Sequence, residues 1–353
     1  MGIPDDPDIR STLKKEDLRY TNDSQSGFFR QKFGKKFNYY DIEGHKIRDK
    51  KILARIDSLA IPPAWRDVWV SVRENGHLQA TGRDERRRKQ YIYHPDWISR
   101  CKQNKFSKMI DFGLALPKIR AKISYNLNSN KLDKERILAT VVWLLEKTFI
   151  RIGNEEYSKE NNSFGLTTLR RRHAQVRGDE ITFQFRGKSG VESIIEVSNP
   201  TVAATIKKCI ELPGYELFQF IDGDGNKHVV DSEDVNEFLQ DVTRDDFTTK
   251  DFRTWGATSL SADNLYKIGA TKDKKEIKQN IVETVKKVAK HLNNTVAVCR
   301  SYYIHPTVLS SYEEDALVPH FAAYASSKTK KRGLSWEEYA LIKLLEKHPY
   351  KSA

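Results

Sequence analysis

Four short stretches of this 353-residue chain combine residue types that could do chemistry. The first is Arg151-Ile-Gly-Asn-Glu-Glu-Tyr157, where an arginine ends a long apolar run and Gly153 permits close backbone approach. The second is Lys188, flanked by Gly187 and Gly190, which let a hairpin tip reach into a groove. The third is Lys250-Asp-Phe-Arg253-Thr-Trp-Gly, at an expected helix start. The fourth runs from Asn294 to Pro306 and holds two adjacent tyrosines, Tyr302 and Tyr303, before His305-Pro306. Guanidinium and ammonium groups hold anions. A phenol, with a pKa of about 10, attacks only where its site favours the phenolate. Each stretch also has an ordinary reading: a helix-end arginine answering the macrodipole, a solvated lysine, a surface helix with common ion pairs, and two packed tyrosines.

The charge of the chain suits an anionic partner. It carries 61 Lys+Arg against 48 Asp+Glu, a formal net charge of +13, which speaks to association rather than fold. Residues 81–110 hold nine basic against three acidic side chains and residues 271–290 seven against three, whereas residues 201–250 hold five against eleven. The run Arg86-Arg87-Arg88-Lys89-Gln90-Tyr91-Ile92-Tyr93 interleaves cations that would neutralise phosphates with rings that could stack on bases or pack on sugars. Several classes are excluded or disfavoured. No stretch approaches the ~20 apolar residues of a membrane helix, and Met1–Lys15 lacks the apolar segment of a signal peptide. With 16 Phe, 15 Tyr and 6 Trp, bulk disorder is not expected. Cys101, Cys209 and Cys299 form no CxxC and fit a reducing cytoplasm, and there is no P-loop signature.

The elements that must position these residues fall into two groups. Residues 1–27 read as a polar, flexible tail. From 28 to about 105 the pattern is strand-like and short (Phe37–Tyr40, Val68–Val72, Tyr91–Tyr93), with Asn75-Gly76 and Gly82 as turns, which predicts a small β-rich domain. From 106 to 353 the period becomes helical. Asp133–Ile150 is apolar almost all round and predicts a buried helix. Ile181–Phe185 and Val191–Val197 predict a hairpin with Lys188 at its tip. Asp231–Thr243, Thr249–Ile268, Glu276–Leu292 and Trp336–Lys347 read as helices, the second and last with capping boxes at Thr248/Asp251 and Ser335/Glu338. A basic linker spans Ser327–Arg332. The acidic stretch Asp222–Glu233 imitates a calcium loop, but Lys227 occupies the position where the loop needs Gly, so a polar hairpin turn is expected instead.

In order along the chain, Ile61-Pro-Pro-Ala-Trp65, Gly76-His-Leu-Gln-Ala-Thr-Gly-Arg-Asp84, Arg151-Ile-Gly-Asn154, Gly165-Leu-Thr-Thr-Leu169, Phe252-Arg-Thr-Trp255 and Ser301-Tyr-Tyr-Ile-His-Pro306 resemble the type IB DNA topoisomerases, specifically their compact poxvirus-like and bacterial group. The resemblance runs from about Leu18 to about Leu345. It implies an α+β architecture, with a small mostly β N-terminal domain and a larger, mainly α catalytic domain carrying a small sheet. It also implies roles. Tyr303, nine residues after Asn294 as in the family, is the nucleophile that forms a 3′-phosphotyrosyl link, and Tyr302 its neighbour. Arg151 and Arg253 match the two family arginines, and Lys188 the hairpin lysine. Asn294 stands where poxvirus enzymes have His and bacterial relatives Asn. Gln90, Tyr91, Tyr93 and Tyr157, with Arg86, Arg87, Arg88 and Lys250, are the implied DNA contacts.

The implied chemistry suits the residue types. Two guanidiniums clamp the non-bridging phosphate oxygens as charge grows on them. Asn294 adds a neutral hydrogen bond, and Lys188 protonates the departing 5′ oxygen. The resemblance implies no cofactor, no metal and no ATP, with duplex DNA as partner and a monomer that closes around it. The closing expectation is that Arg151, Lys188 and Arg253 are buried cations. Two rivals share part of the signature. A tyrosine recombinase would carry His where Lys250 stands and a helical N-terminal domain. A non-catalytic architectural DNA-binding protein would leave the ordered catalytic-type positions unexplained.

Overall fold

A computed structural model describes Leu13 and residues 16–34, 36–326 and 331–350. The described residues up to Lys105 form one compact unit, and Phe106–Tyr350 a second.

The first unit is built on five antiparallel strands. These are β1 (Gly27–Phe33), β2 (Lys36–Tyr40), β3 (Arg66–Ser71), β4 (Leu78–Arg83) and β5 (Lys89–Tyr93), in the order β2-β1-β3-β4-β5. Helix α1 (Lys50–Ser58), which the sequence reading did not foresee, brings Ile56 against Phe28, Val68, Val70 and Ala80. Strand β3 is buried on both faces, Trp69 and Ser71 as well as Val68 and Val70. The cause is the segment before β1, where residues 16–26 are packed although a flexible tail is expected over 1–27; residues 1–12, 14 and 15 of that tail lie outside the described residues. Leu18 and Thr21 are buried. Arg19 exchanges backbone bonds with Asn75 and His77, each of 2.8 Å, and the Trp69 indole donates to the Gln25 carbonyl at 3.0 Å. Gly82 is also not a turn. It lies inside β4, where a Cβ would come within 2.7 Å of the Trp65 ring, so it serves close packing.

Helix α2 (Pro95–Leu127) is 33 residues long and begins ahead of the expected change to helical period at 106. In the second unit α3 (Lys134–Thr148) is the buried helix expected from its sequence, with Asp133 accepting the Arg136 N–H as its N-cap. Next come α4 (Glu155–Asn161), the antiparallel sheet of β6 (Ala174–Arg177), β7 (Glu180–Arg186) and β8 (Glu192–Ser198), and α5 (Pro200–Glu211). Strand β7 alternates cleanly, with Ile181, Phe183 and Phe185 in the core. The hairpin β9 (Gln219–Ile221) and β10 (Lys227–Val229) replaces the calcium decoy. Asp222 accepts the Asp224 and Asn226 N–H groups and meets His228 at 2.7 Å, and the His228 contact pulls its carboxyl down to about 2. Helices α6 (Ser232–Thr243), α7 (Thr249–Ile268), α8 (Lys274–His291), α9 (Val296–Tyr302), α10 (Pro306–Glu313), α11 (Leu317–Ala325) and α12 (Trp336–Lys347) complete the unit. The expected cap at Ser335 is present in both directions, and Asp251 accepts the Thr248 N–H at 2.7 Å. Arg120 ties α2 to Glu146 of α3 and Glu338 of α12, at 2.9 and 2.6 Å. Of the basic linker, residues 327–330 lie outside the described residues. Among the described residues no helix is long and apolar enough to cross a membrane.

His305, the N-cap of α10, is 2 % exposed and packs edge-on against Phe106 and Tyr350. Burial pulls its pKa from 6.5 to about 4. The unfolded chain therefore takes the proton first as pH falls. The contribution is intact above the unfolded value and is lost on the way down to the folded one, about 3 kcal/mol in all. His305→Asn keeps a cap acceptor for the Thr307 N–H and removes the titration. Urea melts across this pH window should show a shallower stability loss in the variant.

Candidate active site

The sequence places Arg151, Lys188, Arg253 and Tyr303 far apart, and the fold brings them to one open cleft of about 430 Å³, which Tyr157 and Lys250 also line. Each arrives on a different support. Arg151 follows the left-handed C-cap of α3 at Phe149 (φ +53°). Its backbone is then fixed by the segment Gly165–Thr168. Leu166 donates to the Arg151 carbonyl at 2.8 Å, and Thr167 donates to Ile152 through its N–H (2.6 Å) and its hydroxyl (2.9 Å). Gly165 makes this contact possible, since a Cβ there would lie 2.5 Å from Gly153 N and 2.6 Å from Arg151 O. Backbone cannot give way as a side-chain tip can. Gly165→Ala is expected to displace Arg151 and to destabilise the fold by about 1–3 kcal/mol. Urea melting curves of the variant and the parent chain check it.

Arg253 is the fifth residue of α7 and is 5 % exposed. Its Nη1 donates to the Phe149 carbonyl and its Nη2 to the Leu292 carbonyl, the latter at 2.8 Å. Two carbonyls thus fix the plane of the guanidinium, 5.3 Å from the centre of the Tyr303 ring. Burial, then the nearby Arg151 charge, pull its pKa to about 10, with Tyr303 acting in the opposite sense. It is still a cation at neutral pH. Burial also lowers Arg151, and Tyr303 and Tyr157 offset part of that.

Asn294 is held by Arg151, whose Nη2 donates to Oδ1 at 2.6 Å. That bond settles the amide orientation, because the reversed amide would aim NH₂ at a guanidinium. Asn294 Nδ2 and Arg253 Nε are then buried donors with no partner among the described residues. Buried donors are normally paired, so two orphans, one on Arg253 in the cleft wall and one on Asn294 bonded to the cleft residue Arg151, mark a place for an acceptor with several lone pairs. A phosphate fits that description.

Tyr303 is the C-cap that follows α9, with its N–H donating to the Cys299 carbonyl. The Thr258 hydroxyl donates to its carbonyl at 3.1 Å and accepts the His305 N–H at 3.0 Å, pinning the chain on both sides. Tyr303 is half-buried and lines the cleft, whereas Tyr302, the last residue of α9, is 41 % exposed. Lys188 corrects one expectation. It lines the cleft from the β7–β8 turn, but it is exposed, so of the three cations only Arg253 is buried and Arg151 is partly so. The turn carries left-handed Ser189 (φ +66°) and Gly190 (φ +79°) and closes through Gly187 N–H to the Val191 carbonyl at 2.7 Å.

The remaining expected DNA contacts lie in the first unit. Arg86, Arg87 and Arg88 form the turn between β4 and β5. Asp84 accepts from Arg88 (ion pair 2.7 Å) and from Gln90 Nε2 at 3.0 Å. Tyr91 and Tyr93 stack on β5 with ring centres 6.0 Å apart, and Lys89 lies 5.7 Å above the Tyr91 ring. Sequence reasoning missed Thr258, Ser193 and Asn293. The first two are small polar residues with no local signal, and only a left-handed φ of +49° sets Asn293 apart.

Comparison with known proteins finds a family and several relatives. Residues 95–325 match the family described as eukaryotic DNA topoisomerase I, catalytic core, and residues 36–84 match the bacterial DNA topoisomerase IB N-terminal domain. The chain is 34 % identical to DNA topoisomerase 1B of Acanthamoeba polyphaga mimivirus over 82 % of its own length and 88 % of that relative. It is 25 % identical to DNA topoisomerase I of monkeypox virus over 66 % of its length and 72 % of the relative. To DNA topoisomerase 1 of Mycosarcoma maydis it is 29 % identical over 56 % of its length, which spans 22 % of that longer protein.

Proposed function

The chain belongs to the type IB DNA topoisomerases, and on that premise we propose that it relaxes supercoiled duplex DNA through a transient 3′-phosphotyrosyl link at Tyr303, without ATP or a metal ion. The observation that carries the reading is the meeting of Tyr303, Arg151, Arg253 and Lys188 in one cleft beside two unpaired buried donors.

In this reading the scissile phosphate is held by Arg151, Arg253 Nε and Asn294 Nδ2. Their positive charge and N–H dipoles match oxygens whose negative charge grows toward the phosphorane, so the clamp strengthens in the transition state. The same guanidiniums favour the charge on the attacking phenol oxygen. Tyr303 gives up its phenol proton to solvent, its Oη forms a bond to phosphorus as the bond to the 5′ oxygen breaks, and Lys188 Nζ gives that oxygen a proton. The phosphotyrosyl ester keeps the energy of the broken diester, so the free 5′-OH can reverse the step once the nicked strand has turned about its partner. Side-chain cations do the electrostatic work, and nothing in the sequence of bonds consumes a nucleotide. The stacked Tyr91 and Tyr93 and the basic β4–β5 turn would give the first unit a duplex-contacting surface.

Relaxation of supercoiled plasmid in EDTA without nucleotide tests the whole reading. Denaturing the reaction midway should trap protein on a DNA 3′ end, and peptide mapping should find the adduct on Tyr303. A link to a 5′ end, or relaxation that requires magnesium, would overturn it.

A further inference from the structure

Asn293 joins three parts of the cleft. Its backbone is left-handed, a conformation Asn tolerates better than most residues. Its carbonyl accepts from Arg151 Nη2 at 3.3 Å, and its neighbour Asn294 takes the shorter bond from the same nitrogen. Its side chain points the other way in function: Nδ2 donates to Ser193 Oγ at 2.9 Å, across 100 residues of sequence. Ser193 is 5 % exposed and pairs with Phe185 across the β7–β8 hairpin. It lies at the base of the turn that carries Lys188. Gly187, immediately before the lysine, approaches it so closely that a Cβ would sit 3.2 Å from the hydroxyl.

Lys188 is exposed on a short turn, so its position depends on where the hairpin base is held. The arginines are held by groups outside the hairpin: Arg253 by the Phe149 and Leu292 carbonyls, the Arg151 backbone by the Gly165–Thr168 segment, and the Arg151 guanidinium by the Asn293 carbonyl and Asn294 Oδ1, which Ser193→Ala and Asn293→Gly both retain. We propose that the Ser193–Asn293 hydrogen bond is a latch that keeps the Lys188 hairpin in register with the phosphate clamp. Both are positioning residues for one event, the transfer of a proton from Lys188 Nζ to the 5′ oxygen as its bond to phosphorus breaks. The inference rests on the reading of Lys188 as general acid.

That restriction supplies the test. A 5′-bridging sulfur leaves as a thiolate without a proton, because a thiol is far more acidic than an alcohol. Single-turnover covalent cleavage is measured on two duplexes carrying a site mapped on plasmid DNA, one natural and one with sulfur at the scissile 5′ position. Lys188→Ala should slow the natural duplex by roughly 10²–10⁴-fold and leave the sulfur duplex near the wild-type rate. Ser193→Ala, and Asn293→Gly, which keeps the left-handed backbone available, should each slow the natural duplex roughly tenfold. Neither should slow the sulfur duplex, and the double variant should be no slower than the worse single. If the latch variants slow both duplexes alike, or neither, the latch is overturned and the general acid stands. If Lys188→Ala stays slow on sulfur, the general-acid role falls, and the latch's purpose with it.

Discussion

Tyr303→Phe is expected to abolish covalent complex formation and plasmid relaxation, a loss of at least about 10⁴-fold, because it removes the hydroxyl of the proposed nucleophile. The fold should survive. The ring stays under the Arg253 guanidinium, and the bonds that pin the segment, from Thr258 to the Tyr303 carbonyl and the His305 N–H, involve backbone. Tyr302→Phe is the matched control. Its side chain is 41 % exposed at the end of α9 and does not line the cleft, so relaxation should remain close to wild type. Gel assays of both variants decide the matter. Relaxation that survives in Tyr303→Phe, or that vanishes in Tyr302→Phe alone, would remove the assignment.

Arg253→Lys should be almost as damaging to chemistry as Arg253→Ala, although it keeps the charge. The guanidinium does three things at once. It satisfies the Phe149 and Leu292 carbonyls, lies over Tyr303, and leaves Nε as an unpaired buried donor. An ammonium on a flexible stem cannot reproduce that fork. Loss of one such transition-state donor costs about 10²–10³ in the cleavage rate. Arg253→Ala also leaves two buried carbonyls unpaired, so it should unfold at lower urea, by about 1–3 kcal/mol for each. Rates of covalent complex formation, with DNA affinity measured separately in a Tyr303→Phe background, separate the two effects. A lysine variant that cleaves at the wild-type rate would mean that charge alone is required there.

Some of this was legible in the chain. Where local rules suffice, element and boundary agreed. Thr249–Ile268 and Trp336–Lys347 form as their period and caps required, and the buried helix after Asp133 follows from an apolar pattern on every side. The order of motifs fixed the family and the types of side chain available to a phosphate. Helix α1, the segment over Trp69 and the true start of α2 were not legible, because each is decided by surfaces it meets rather than by its own pattern. Over residues 16–26 the packing differs from the expected flexible tail for this reason. Polar residues such as Thr21 are buried because His77 and Leu78 supply their partners from a distant strand.

By itself the sequence determined the local elements, the family and the chemistry on offer, since capping, periodicity and residue type act over a few neighbours. Tertiary structure alone decided that Tyr303 lines the cleft and Tyr302 does not, which cation is buried, and that Arg253 Nε and Asn294 Nδ2 have no hydrogen-bond partner among the described residues. Those outcomes depend on backbone carbonyls and side chains brought together across 104 residues for Arg253 and Phe149, and across 143 for Arg151 and Asn294. Burial and hydrogen-bond satisfaction are properties of such long-range contacts, and no local pattern records them.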